Sequence, residues 1–112
     1  MKATLMRVAT MIGLVVALCA PAVVAAPSTP ATAEVTIDNF SFTPAELTVT
    51  VGTTVHWTNR DDIPHTVVST DQVFKSKVLD SEEQYSFTFT TAGTYAYFCS
   101  IHPKMTGKVI VQ

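Results

Sequence analysis

Between Glu34 and Val111 apolar side chains return at every second residue, in short runs broken by turn residues, and this alternation restricts the chain to half-buried β-strands. Val35 and Ile37 form one such set, Leu47, Val49 and Val51 another, and Val55 and Trp57 a third, interleaved mostly with threonine or charged residues. Tyr85, Phe87 and Phe89 alternate with Ser86, Thr88 and Thr90, Tyr95, Tyr97 and Cys99 share one parity, and Val109 and Val111 close the pattern. The abundance of threonine favours strands over helices. Turn signals at Gly52, Asn59 to Asp62, Ala92-Gly93 and Gly107 punctuate the runs. The expected fold is all-β: a Greek-key antiparallel β-sandwich of about seven to eight strands, with two sheets burying alternate side chains between them. Ser69 to Glu83 is the least regular stretch and leaves room for a short helix or a long crossover loop. No βαβ unit, phosphate loop or internal repeat is visible.

Residues 1–25 follow a different pattern. Lys2 and Arg7 precede an apolar run from Val8 to Leu18 and a small-residue stretch ending Val23-Val24-Ala25, which reads as a secretory signal peptide. The run is too short to span a bilayer and no second one follows, so no integral membrane segment is expected in the mature chain. Cleavage is expected after Ala25, because a cut after Ala26 would leave Pro27 at the new N-terminus. Residues 26–33, rich in Pro, Ser, Thr and Ala, read as a short tether, and residues 34–112 as the folded domain. The expectation is an exported, periplasmic monomer.

Removing the leader leaves five basic against nine acidic side chains, a formal charge of −4, which argues against a nucleic-acid partner. Cys19 leaves too. Lipidation at Cys19 is a minor alternative, since Leu18 stands where lipoprotein leaders carry a small residue. Cys99 then becomes the one cysteine of the mature chain and Met105 its one methionine. An internal disulfide is impossible, and an odd cysteine in an exported protein implies an intermolecular bond, a reactive thiol or a metal.

Spacing separates these options. Cys99-Ser100-Ile101-His102-Pro103-Lys104-Met105 places thiolate, imidazole and thioether at C-x2-H-x2-M, just before the last strand. A second imidazole is available from His65 in Asp62-Ile63-Pro64-His65-Thr66-Val67, where Pro64 stiffens the approach. One thiolate, two imidazoles and a thioether match the donor set of an electron-transfer copper site. Thiolate and thioether are soft donors suited to Cu(I), while imidazoles also hold Cu(II). A catalytic Cys–His pair would want an oxyanion-stabilising motif and a third orienting residue, and it gives Met105 no role. A zinc site would want another Cys, His or carboxylate in place of Met105, and an inert buried thiol leaves the spacing unexplained. His56 is out of phase with Val55 and Trp57, so it is expected to face solvent and not to bind metal. Trp57, Phe87, Phe89 and Tyr95 read as core, whereas Asp61-Asp62 and Asp80, Glu82 and Glu83 read as solvated loops.

With Val55-His56-Trp57-Thr58-Asn59, Pro64-His65, Ala92-Gly93-Thr94-Tyr95, the Cys99 to Met105 loop and Gly107-Lys108-Val109, the chain from about Glu34 to Gln112 resembles the cupredoxins, or blue copper proteins. Amicyanin-like and plastocyanin-like members are the most similar. The resemblance implies one type 1 copper ion cycling between Cu(II) and Cu(I), with His65, Cys99 and His102 as strong ligands and Met105 as the axial one. It further implies a non-enzymatic carrier of single electrons between transient redox protein partners, with a His102 edge near the surface ringed by Ile63, Pro64, Ile101 and Pro103. Three residues depart from the family pattern. Ile101 stands where amicyanins have proline, Lys104 where they have an aromatic, and Thr66 where many cupredoxins have an asparagine that ties the two ligand loops together. Thr66 can still hydrogen-bond near Ser100, and its backbone N–H can reach the Cys99 sulfur. The rival reading is a copper chaperone or storage protein, which would ordinarily present Met-rich or His-rich tracts that the mature chain lacks.

Overall fold

The computed structural model describes residues 31–112, together with Gly13. The expected signal peptide, Cys19 and the tether as far as Pro30 lie outside the described residues. Eight strands follow one another: β1 (Thr32–Asp38), β2 (Ser41–Thr43), β3 (Glu46–Val49), β4 (Thr54–Asn59), β5 (Val68–Ser69), β6 (Gln84–Thr88), β7 (Gly93–Phe98) and β8 (Thr106–Val111). They form two four-stranded sheets, ordered β2-β1-β4-β6 and β3-β8-β7-β5. No helix occurs among the described residues. The first strand begins at Thr32, which pairs with Thr54, so Thr32 and Ala33 extend the sheet into the stretch expected to be tether.

The alternation seen in the sequence is the alternation of burial. Val35 and Ile37 of β1, Val55 and Trp57 of β4, and Val109 and Val111 of β8 face the space between the sheets, while the intervening residues of β1, such as Glu34 and Thr36, turn outward. His56 is only half-buried on the outer face and meets Ser86 across β4 and β6. Trp57 and Phe89 are buried as expected, and Phe87 and Tyr95 pack partly buried against the same core. An aromatic cluster fills the middle: Trp57 lies 5.6 Å from Phe74, 5.5 Å from Tyr97 and 6.5 Å from Phe89 between ring centroids. Such tilted and edge-to-face pairs add to the burial of apolar area that a domain this small depends on.

Each sheet is mixed. β1 and β4 run parallel, as do β3 and β8, and the other neighbours are antiparallel. The cause is connectivity: after the β1–β2 hairpin the chain crosses to the other sheet as β3 and returns as β4, and a crossover, unlike a hairpin, permits parallel neighbours. The irregular stretch 69–83 is a crossover loop. It is anchored inward by buried Phe74 and Leu79 and bound along its length by Ser76 N–H to Val67 O (2.8 Å) and Leu79 N–H to His65 O (2.8 Å).

These connections bring two segments to one end of the sandwich. The β7–β8 hairpin pairs Phe98 with Thr106, which leaves Cys99 to Met105 as its loop. The link from β4 to β5 carries Arg60 to Val67 past the same end.

Candidate metal centre

Within the hairpin loop the backbone closes on itself: Cys99 N–H donates to Met105 O (3.0 Å) and Met105 N–H to His102 O (2.9 Å). Because the loop joins adjacent antiparallel strands, Cys99 and Met105 lie near each other and His102 arches over them. Cys99 and Met105 are buried, and His102 keeps one edge open beside Ile101, which is 46% exposed.

His65 arrives from the other segment and is fully buried. Its backbone forms a two-way bridge with Leu79, with His65 N–H donating to Leu79 O at 3.0 Å. The approach is shaped by Asn59, also fully buried at the end of β4. The Asn59 Nδ2 donates to Ile63 O and Leu79 O, both at 2.9 Å, and its Oδ1 accepts the Asp61 N–H at 2.9 Å. One amide side chain thus binds three backbone groups, two in its own loop and one across at Leu79.

The two segments meet at the sulfur. Cys99 Sγ lies 3.7 Å from His65 Nδ1 and 3.8 Å from His102 Nδ1, and the donor atoms of the three residues lie within 4.8 Å of one another. Those separations suit a transition-metal ion bonded at roughly 2 Å to each donor. The Thr66 N–H points at the same sulfur (3.4 Å) and its hydroxyl lies 3.7 Å away. The Thr66 Oγ1 also accepts the Ser100 N–H at 2.7 Å and sits 2.8 Å from Ser100 Oγ, so it ties the two segments together. Burial pushes the Cys99 thiol up, but hydrogen bonding at the sulfur, the Thr66 N–H foremost, outweighs it and holds the thiol down at about 6. A thiol ionised at neutral pH is the form a metal requires.

The expected donors therefore converge: His65, Cys99 and His102 around one point, with Met105 buried at the foot of the same loop. The four side chains are positioned as a type 1 copper site. A family model described as a cupredoxin-like domain matches residues 8–111. The chain belongs to the cupredoxins. This cupredoxin is 38% identical over 95 residues to an amicyanin from Paracoccus versutus, spanning 80% of this chain and 72% of the relative. It is 43% identical over 83 residues to an amicyanin from Paracoccus denitrificans, spanning 70% of this chain and 63% of the relative, so part of that protein's length has no counterpart in the match. Among solved structures it resembles a novel purple cupredoxin from Nitrosopumilus maritimus, at a TM-score of 0.69 and 35% identity over 71% of this chain and 99% of the other. It also resembles a Cu(I) form of a mutant amicyanin, at a TM-score of 0.69 and 41% identity over 72% and 82% of the two chains.

Two residues at the site of this cupredoxin were not anticipated from its sequence. Phe40, 54% exposed in the turn between β1 and β2, stands edge-on to both imidazoles, with its ring centroid 5.1 Å from that of His102 and 5.9 Å from that of His65. Alternation gives no signal for it, since Phe40 has the parity of the buried Phe42, and only the turn carries it outward. Asp61 was expected on a solvated loop, and the structure corrects this. Its Oδ1 accepts the Asn39 N–H (2.9 Å), and its Oδ2 accepts the Phe40 N–H (3.0 Å) and lies 2.7 Å from His65 Nε2. The Phe40 N–H is the main reason the Asp61 carboxyl is held down at about 2, ahead of the opposing effect of burial. Glu82 and Glu83 remain at the surface, where they pair with Arg60 and Lys77.

Proposed function

We propose that this cupredoxin is an exported, periplasmic electron carrier in which His65, Cys99 and His102, and more weakly Met105, would hold one copper ion. The observation that carries this reading is the convergence of two imidazole Nδ1 atoms on a buried thiol, at 3.7 and 3.8 Å. When bound, copper supplies one-electron chemistry between Cu(II) and Cu(I). The chain's own part is to fix the donors before the metal arrives. Cys99 and His65 are locked by buried hydrogen bonds, which keeps water out and limits rearrangement between the oxidation states.

Access for a partner runs along the exposed edge of His102. Phe40 stands edge-on to it and Ile101 and Pro103 flank it in the chain, all three exposed and apolar. A small apolar contact of this kind suits brief encounters with redox proteins. The reading is non-enzymatic, because four protein side chains would occupy the metal's coordination positions and leave none open to a substrate. Export rests on the Lys2-to-Ala25 sequence pattern and on the likeness to amicyanins.

The test is to add Cu(II) to the purified domain and record its visible spectrum and voltammogram. An intense thiolate-to-copper band, lost in Cys99→Ala, and a reversible one-electron wave are expected. A colourless protein that takes up only Cu(I) would instead favour delivery or storage of the ion and overturn the carrier. Expression of the full chain in a bacterium with two membranes should yield periplasmic protein beginning at Ala26; retention in the cytoplasm would refute export.

A further inference from the structure

The turn between β1 and β2 is an unusual place to find an aromatic side chain. Asn39 and Phe40 both adopt left-handed backbone conformations, with φ of 50° and 57°. For Phe this is costly, since its Cβ crowds the following carbonyl. Such a turn persists only where its surroundings hold it. Two successive N–H groups, those of Asn39 and Phe40, point the same way, and the Asp61 carboxylate sits in their path at 2.9 and 3.0 Å. Asp38 Oδ1 also accepts the Asn39 N–H at 2.9 Å, but the Phe40 N–H goes to Asp61.

The same Oδ2 that accepts the Phe40 N–H lies 2.7 Å from His65 Nε2, while the opposite ring nitrogen, Nδ1, faces Cys99 Sγ. A carboxylate can only accept hydrogen bonds. Nε2 must therefore carry a proton, and in the neutral ring that puts the lone pair on Nδ1, the side where the sulfur lies. We propose that Asp61 is a positioning residue: one carboxylate sets the tautomer of His65 and, through the Asn39 and Phe40 amides, holds Phe40 edge-on over the two imidazoles. The inference rests on the copper reading above for its consequence but not for its geometry. A carboxylate behind a ligating histidine raises the basicity of the ring and favours the more highly charged metal ion.

The first test needs no copper. In the metal-free protein, nitrogen-15 spectra should show His65 as the Nε2-protonated tautomer with a slowly exchanging Nε2 proton; an Nδ1-protonated ring would overturn the proposal without any variant. In Asp61→Asn, which is nearly isosteric, exchange of the His65 Nε2 proton and of the Phe40 amide should accelerate at least ~10-fold together, while the Asn39 amide keeps Asp38 Oδ1 and changes less. In Phe40→Ala the Nε2 proton should stay slow. If Asp61→Asn leaves the Nε2 and Phe40 protons as protected as before, Asp61 holds neither group. With copper bound, Asp61→Asn should weaken Cu(II) binding by about 10–100-fold and raise the reduction potential. An unchanged potential in a copper-loaded variant overturns the electronic half of the proposal. Failure of the unsubstituted protein to develop a thiolate band would refute the copper reading instead, and the proton-exchange results would still decide the role of Asp61.

Discussion

The hairpin loop Cys99–Met105 and the segment Asn59–Thr66 each present an imidazole to the same sulfur, but they are held in opposite ways. In the hairpin the strands β7 and β8 do the positioning: Phe98 pairs with Thr106, two backbone hydrogen bonds close the loop, and three donors fall within seven residues. The other segment has no strand pairing from Arg60 to Pro64. Its shape comes from side chains, with Asn59 binding three backbone groups and Asp61 reaching across to the β1–β2 turn. The difference teaches that a metal site can combine a donor group specified by local spacing with one specified only by long-range contacts. Mutations should expose the second as the more fragile.

The sharpest way to break the comparison is Asn59→Ala. Three hydrogen bonds disappear; Leu79 O keeps the His65 N–H, but Ile63 O and the Asp61 N–H lose their partner, and a cost of roughly 2–4 kcal/mol follows from the penalty for leaving these two groups unpaired. Chemical denaturation should show this loss of stability. Spectra of the copper-loaded variant should show the His65 side of the site disturbed while the hairpin loop keeps its shape. A loss below about 0.5 kcal/mol would mean that the segment is held by its backbone after all.

The hairpin has its own weak point at its base. Gly107 lies opposite Tyr97, and a Cβ at Gly107 would come within 2.5 Å of the Tyr97 ring and hydroxyl. Tyr97 is buried against Trp57 and Phe42 and cannot swing aside. Its phenol is raised to about 12 by that burial. Gly107→Ala should therefore cost about 1–3 kcal/mol through overpacking, read as a lowered midpoint in denaturant. Comparable stability would show that the core yields more readily than its packing implies.

This contrast also explains what was legible in the sequence. Alternation revealed the strands because each buries one face, and C-x2-H-x2-M revealed the hairpin donors because the strand pairing that gathers them is local. The parallel pairs β1/β4 and β3/β8 were not legible, since period-2 alternation is blind to the direction of a neighbour. His65 stood out only as an available imidazole. Asn59 read as a turn residue and Asp61 as a surface charge, because the groups that they bind, at Leu79 and at Asn39 and Phe40, lie about twenty residues away and nothing in the local spacing marks them. Phe40 has the parity of the buried Phe42, so alternation could not mark it, and only the turn's left-handed backbone sets it apart.

A smaller change in the hairpin should tune the metal without dislodging it. Met105 is buried at the foot of the loop, and its backbone bonds to Cys99 and His102 do not involve the side chain. Met105→Gln should keep copper bound and lower the reduction potential, because an oxygen or nitrogen donor favours Cu(II) over the soft thioether's preference for Cu(I). Voltammetry measures the shift. Loss of all copper would contradict a weak axial role for Met105.

The smallest expected effect comes from the link between the two segments. Thr66→Val keeps the shape of the side chain and leaves the backbone N–H that points at Cys99 Sγ at 3.4 Å. It removes the hydroxyl that accepts the Ser100 N–H and lies 3.7 Å from the sulfur. Stability should fall by roughly 1 kcal/mol, the ordinary net worth of one such hydrogen bond. The potential should fall less than in Met105→Gln, because the hydroxyl is a distant donor to the thiolate and the closer N–H remains. If Thr66→Val shifts the potential as much as Met105→Gln does, the side-chain hydroxyl and not the backbone is the principal donor to the sulfur. The two segments would then be coupled more tightly through Thr66 than their separate anchoring suggests.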